Sequence, residues 1–538
     1  MLRLKRVKSP ARIMYVFLLA MAVQPFSSAQ ELTLGEVDFP TSGAPEAQKE
    51  FIQGMLYMHS FEYEPAAVAF RNAQAIDPDF AMAFWGEAMT NHHSLWRAQN
   101  QQAAQDVLNR LGKTSAERAA KAPTQREKDF IHAAEILFGM TEETQGLDKL
   151  ERDVQYRNAM MRVHMNYPDD LEARALYGLS VLGVGSANRD YATYMQAAAI
   201  ITPVWDANHS HPGAAHYLIH SYDDPIHAIL GLPMARAYEK IAVDAAHAQH
   251  MTSHIYVALG LWDDMIGANV TALSVESAKT VGEGPRSREA WHHRYWLHYG
   301  RLQQGRLDEA REMLTMARER IRENPLPREP AYYGAMYARY LIDTELWEEA
   351  DKWLAPDSVH VPTPHYYFAQ AYAAAQLGHL DAARDLLPKI QMGGKEGNPE
   401  IILTQKEVDI LKLEVQSVVA LKEGDGEKAV TMAREAAEMQ ASLPFRYGPP
   451  RISKPTTELL GDILYELGNS DGAILAYQDQ LSRSKLRANS LIGLARAAAK
   501  IGDDTTSQDA YNSLANIWHS ADESVAGLAE VRRNTRRN

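Results

Sequence analysis

From residue 47 onward, apolar and small residues recur at the three- and four-residue steps of amphipathic helices, and the pattern itself returns after 34 residues. Residues 47–80 show one unit in full: Gly54 and Tyr57 fall on a first helical stripe, Ala66, Phe70 and Ala73 on a second, and Pro78 closes it. Small residues at such places let two helices approach closely, an aromatic fills the gap between them, and proline cannot continue the second helix. The turn inside each pair is marked by a glycine followed five residues later by alanine, as in Gly305 with Ala310, Gly378 with Ala383, Gly424 with Ala429 and Gly468 with Ala473. Gly468 and Gly502 are 34 apart, as are Tyr477 and Tyr511. Alternating runs rich in Val, Ile and Thr, the mark of strands, are nearly absent.

A 34-residue helix-turn-helix with these positions is the tetratricopeptide repeat (TPR). The pattern predicts an all-α chain, a TPR-type α-solenoid forming a right-handed superhelix of about ten helix pairs. Residues 47–114 read as N-terminal repeats, 115–170 as irregular helices outside the strict period, 171–317 as central histidine-rich repeats and 318–538 as C-terminal repeats. Residues 392–399 and Leu443–Pro455 interrupt the period and are expected to be surface excursions, because the pattern resumes after each.

Charge and composition narrow the setting. Residues 1–29 carry Arg3, Lys5, Arg6, Lys8 and Arg12, then an apolar run from Ile13 to Val23, then Ser27 and Ala29, which reads as a cleavable signal peptide and predicts a periplasmic or secreted protein beginning near Gln30. Its loss removes five positive charges and no negative ones, moving the net charge from −14 to −19. An acidic chain without a basic stripe excludes nucleic acid as a partner, and after cleavage no segment is long and apolar enough to cross a membrane. The absence of cysteine rules out disulfides, thiolate metal sites and a thiol nucleophile, and there is neither a Walker-type phosphate loop nor a Gly-x-Ser-x-Gly elbow.

Histidine supplies the candidate chemistry. His216 with His220 and His250 with His254 are each four residues apart on a helix, and the second pair follows the first by 34 residues. Equivalent places in successive repeats lie on neighbouring first helices, so the four imidazoles are expected to converge on the concave groove and hold one or two transition-metal ions, such as copper, zinc or iron. Met55 and His59 in the first repeat match Met89 and His93 in the second, and His93 is a further candidate ligand. His92, Trp96, His211, His292, His293 and Tyr295 complete the expected groove lining. Asp223 and Asp224 offer a carboxylate to the metal, although an Asp-rich turn before Pro225 is the simpler account of them.

The stretches His211-Pro212-Gly213-Ala214-Ala215-His216-Tyr217-Leu218-Ile219-His220 and His250-Met251-Thr252-Ser253-His254-Ile255-Tyr256, with Tyr447-Gly448-Pro449-Pro450 further on, resemble a group of bacterial exported TPR-repeat proteins over most of the mature chain. In that group the early segment reads like Asn-His-Pro-Leu-Trp, which here is His92-His93-Ser94-Leu95-Trp96; Ser94 and Thr252 stand where proline is common, and neither change removes a ligand. The resemblance implies a fold and a histidine pattern but no reaction. The sequence therefore predicts a binding protein with a histidine-lined, metal-binding groove that also takes a peptide or protein partner. The alternatives are a metal-dependent oxidative or hydrolytic enzyme on the same scaffold, or a pure interaction scaffold whose histidines are structural.

Overall fold

Helices begin where the sequence supplies caps. Thr114, Thr124, Asp148 and Thr404 each accept the amide three residues on, while Glu117, Glu127, Glu151 and Glu407 reach back to the capping residue. In this computed structural model, which describes residues 32–185, 189–278, 287–322, 325–361, 363–393 and 401–535, twenty-five α-helices run from Pro45 to Thr535. Among the described residues the only strand pairing is His92–His93 against Ala98–Gln99. The chain is all-α, as the period predicts. The signal segment expected at 1–29 and residues 394–399 of the first excursion lie outside the described residues. No helix among those described is long and apolar enough to cross a membrane.

Consecutive helices pack on one another through the small and aromatic positions of the repeat. A Cβ at Gly54 would lie 2.6 Å from the Phe70 ring and one at Gly86 2.4 Å from it, so the ring fills the space that both glycines leave open. Tyr477 stands in the same relation to Gly461 and Gly493. These contacts make the chain a TPR-type stack of helix pairs.

The stack is also tied across the sequence. An extended segment at 33–42 lies along the central repeats, with Thr33 donating its amide to Asp244 (2.7 Å) and Glu36 to Ser210 O (2.9 Å), while Phe39 packs among Phe51, Trp85 and Phe130. The C-terminal repeats meet the central ones: the Trp262 indole donates to Leu486 O, that of Trp518 to Gln303 O, and Asp522 N to Gly305 O. Arg487, fully buried, bridges Asp343 (2.6 Å) and Glu458 (2.7 Å).

Leu443–Pro455 corrects one expectation. It is an inward strap and not a surface excursion: Ile452, Ser453 and Lys454 are buried, Arg451 pairs with Glu407 (2.6 Å), and Pro450 O accepts from Arg339. The resumption of period on either side shows that the segment is an insertion, but not which way it folds.

Candidate metal centre

Three helices carry the central histidines: Pro212–Tyr222, Ala246–Leu259 and Arg288–Gln303. Pro212 occupies the first turn of the first helix, where its missing amide costs nothing, and Gly260 ends the second in the left-handed region at φ +71°. Three- and four-residue spacing then aligns His216 with His220, and His247 with His250 and His254, along single helix faces.

The four histidines divide between two groups. His216 and His220 group with His247, and His250 and His254 group with His292, the potential ligand atoms within each triad lying within 4.8 Å of one another. The middle helix serves both triads. The triads adjoin, since the His220 and His254 ring centroids are 5.9 Å apart and those of His247 and His250 6.3 Å. His247 was not singled out in the sequence; its position three residues before His250 on the same face is the signal that could have found it.

Tautomers follow from the hydrogen bonds. His216 Nδ1 faces the carbonyl of His59 at 2.7 Å and must donate to it, which leaves Nε2 with its lone pair. That Nε2, Nε2 of His220 and both ring nitrogens of His247 are buried without a hydrogen-bond partner. In the second triad, Asn269 uses its amide NH2 on Met265 O, so its Oδ1 accepts from His250 Nδ1 (2.7 Å). The carboxylate of Asp223 accepts from His254 Nδ1 (2.6 Å). In the neutral rings, both Nε2 lone pairs then face each other across 3.2 Å. Two lone pairs at that distance repel unless a proton or a cation lies between them.

Burial sets the protonation. It pushes His216 down to about 3, and burial together with neighbouring imidazoles holds His220, His247, His250 and His293 well below the usual histidine value. Neutral imidazole is the form that binds metal. Each ring with an identified back partner is oriented by a backbone carbonyl, a carboxylate or an amide oxygen, which is how metal-ligating histidines are commonly held.

A third group, His59, Glu172 and His211, has a different logic. His211 caps its helix by accepting the Ala214 amide at Nδ1 (3.1 Å), so its proton sits on Nε2, 3.0 Å from Glu172 and out of line for a good hydrogen bond. A metal at that Nε2 would require the imidazolate. His59 Nε2 lies 2.8 Å from the other carboxylate oxygen and its Nδ1 2.8 Å from the Tyr217 hydroxyl. Burial alone would raise the Glu172 pKa, but the two histidines overcome it and hold the carboxyl well below the usual range. The group is a buried polar clamp between the first helix and the central repeats.

The remaining expectations are corrected by packing. The residues assigned to an open groove are covered: His216, His220, His250, His254, His211, His59, Met55, Met89, His92, His293 and Tyr295 are all buried. Phe61 lies over His216 (centroids 4.3 Å), Trp96 against His247 (5.5 Å), and Tyr447 of the strap against His254 (5.0 Å). The face meant for a peptide is occupied by the chain's own segments. His93 stacks on Tyr63 (3.9 Å), donates Nε2–H to Thr90 O (3.1 Å) and joins none of the three groups. Met55 and Met89 are core. Tyr295 accepts from Arg339 (2.9 Å), Asp223 accepts from His254, and Asp224 caps the turn through Ile226 N and His227 N, the simpler of the two accounts of these aspartates.

No family model matches the chain, and no curated protein matches it. Among solved structures it is similar to a chain in a crystal structure of the APC/C hetero-tetramer Cut9–Hcn1, with 14% identity, 91% of this chain and 76% of that one covered, and a TM-score of 0.32. It is also similar to a tetratricopeptide repeat protein from Parabacteroides merdae, with 12% identity, 54% of this chain and 97% of that one covered, and a TM-score of 0.29. The fold rests on the chain's own helix packing.

Proposed function

We propose that this repeat protein binds transition-metal ions, one in each of the triads His216–His220–His247 and His250–His254–His292. The observation that carries the reading is the set of buried, unpartnered ring nitrogens in the first triad together with the facing Nε2 atoms of His250 and His254. Leaving such groups buried and unpaired costs roughly 1–3 kcal/mol each, which an ion would offset. Three neutral imidazoles without thiolate suit zinc or copper(II) better than iron. An ion on three imidazoles keeps a further position for water or another ligand, where it supplies Lewis-acid chemistry, or one-electron chemistry if it is copper.

Burial favours holding an ion over hydrolysis. Hydrolysis needs a path for water and substrate, and Phe61, Trp96 and Tyr447 stand over these histidines. Holding an ion, or passing an electron, needs no such path. Binding of other proteins, the common work of stacked helix pairs, would use faces other than the one bearing the triads. The export expected from residues 1–29 is part of the same proposal.

The test is elemental analysis of untagged protein loaded with zinc or copper(II) and desalted. Wild type should retain two ions per chain, and His216→Gln/His220→Gln and His250→Gln/His254→Gln one each, with helical content unchanged. Retention of the same ions by both variants would refute the assignment.

A further inference from the structure

A cavity of about 420 Å³ lies where the C-terminal repeats meet the residues around 302–307 and 343–345, away from the histidines, and its size suits a small organic ligand. Its charged lining is Asp343, Glu345, Asp462, Glu466 and Arg496, and its apolar walls include Leu302, Tyr465, Ile492 and Trp518.

All but one of these charges are already matched. Asp343 takes Arg487 and Gln303, Asp462 takes Lys454 and the Tyr477 hydroxyl, Glu466 pairs with Lys422 at 3.3 Å, and Arg496 pairs with Glu530. The Glu345 side chain has no hydrogen bond or ion pair, its backbone alone bonding to Leu341 and Trp347. Its carboxylate is open to the cavity, yet the surrounding protein, with Asp462 and Glu458 near, pushes its pKa upward against the weaker pull of Lys454 and Arg496. Glu458 shares Arg487 with Asp343 and Lys454 with Asp462, so the recess is net acidic, and Glu345 is the lining carboxylate without a partner.

The place of Glu345 in the repeat makes its identity informative. It is the left-handed residue that ends a first helix, at φ +57°, two residues before the next helix begins at Trp347. Of the equivalent places, Gly260, Gly305, Gly378, Gly424, Gly468 and Gly502 lie between φ +68° and +85°, and Phe61 of the first repeat holds φ +56°. Glycine adopts that conformation without strain and glutamate does not. Glycine is the commoner residue at this turn, and glutamate there carries a conformational cost.

We infer that this cavity binds a small organic monocation, a primary amine with an apolar or aromatic body, whose ammonium pairs with Glu345. The unpartnered Glu345 carboxylate matches an ammonium, and the aromatic and aliphatic walls match the body. The inference is independent of the metal reading.

Calorimetric titration of the full chain with phenethylamine tests it, with 2-phenylethanol as the neutral control and Glu345→Gln and Glu345→Gly as variants. Glu345→Gly places at this turn the residue found at six other such turns, so it should fold and melt higher than wild type. The expected result is amine binding by wild type, weakened about tenfold or more in both variants as a charge-assisted pair is lost, and no comparable binding of the alcohol. No binding by wild type, equal binding by the variants, or equal binding of the alcohol would each overturn the inference.

Discussion

At the residue scale, the argument turns on which nitrogen of each imidazole is left without a proton. Asp223 fixes His254 and Asn269 fixes His250, so neither needs to touch an ion to govern its binding. Asp223→Ala should weaken metal affinity by about 10- to 100-fold, read by competition with a chelator, while the stoichiometry at saturating metal is unchanged. The sequence showed the two His pairs because duplication placed them 34 residues apart, but their partners came from elsewhere. His247 lies at Gly213 in the preceding repeat's register and so has no repeated counterpart, and Glu172 and Asp223 find their histidines only through packing. Buried histidines outside the triads report separately on acid stability. Burial pushes His298 down to about 3, and both its ring nitrogens are unpartnered. Its stabilising contribution is complete above the unfolded value of about 6.5 and is lost as pH falls toward the folded value. Chemical denaturation of wild type and His298→Phe at pH 7 and pH 4 should show the variant losing less stability on acidification, by up to roughly 3 kcal/mol.

At the element scale, glycines and caps made the helix pairs legible, whereas the direction of the insertions was not. Gly54, Phe70 and Gly86 form a contact that the repeat numbering anticipates, and Gly54→Val should destabilise the chain by about 1–3 kcal/mol in denaturant titration, because the added atoms meet the Phe70 ring. The strap Leu443–Pro455 defeated the same reasoning. Period describes the helices on either side of an insertion, while its own direction is decided by contacts such as Tyr447 on His254 and Gly448 against Trp296. Gly448 holds φ +83°, and a Cβ there would lie 2.4 Å from the Trp296 ring. Gly448→Ala should therefore unseat the strap and weaken the second triad's ion, leaving the first triad's ion in place, as measured by metal titration.

At the scale of the whole molecule, the all-α class and the repeated helix pair follow from the sequence, but the closing of the stack upon itself does not. The repeat register identifies the face carrying His216 and His250; what covers that face comes from Phe61, Trp96 and Tyr447, far away in sequence. Long-range ties at the other end depend on Arg487, whose guanidinium is buried between Asp343 and Glu458. Arg487→Met should cost about 3–5 kcal/mol in denaturant unfolding, since it leaves buried Asp343 without a cation and Glu458 with Lys454 alone. The central claim concerns the triads, and anomalous diffraction from crystals of metal-loaded protein, collected on both sides of the zinc or copper edge, tests it most directly. The account predicts two peaks per chain, one among His216, His220 and His247 and one among His250, His254 and His292. Peaks lying only at surface carboxylates, or none in a chain whose triads are well ordered, would contradict it.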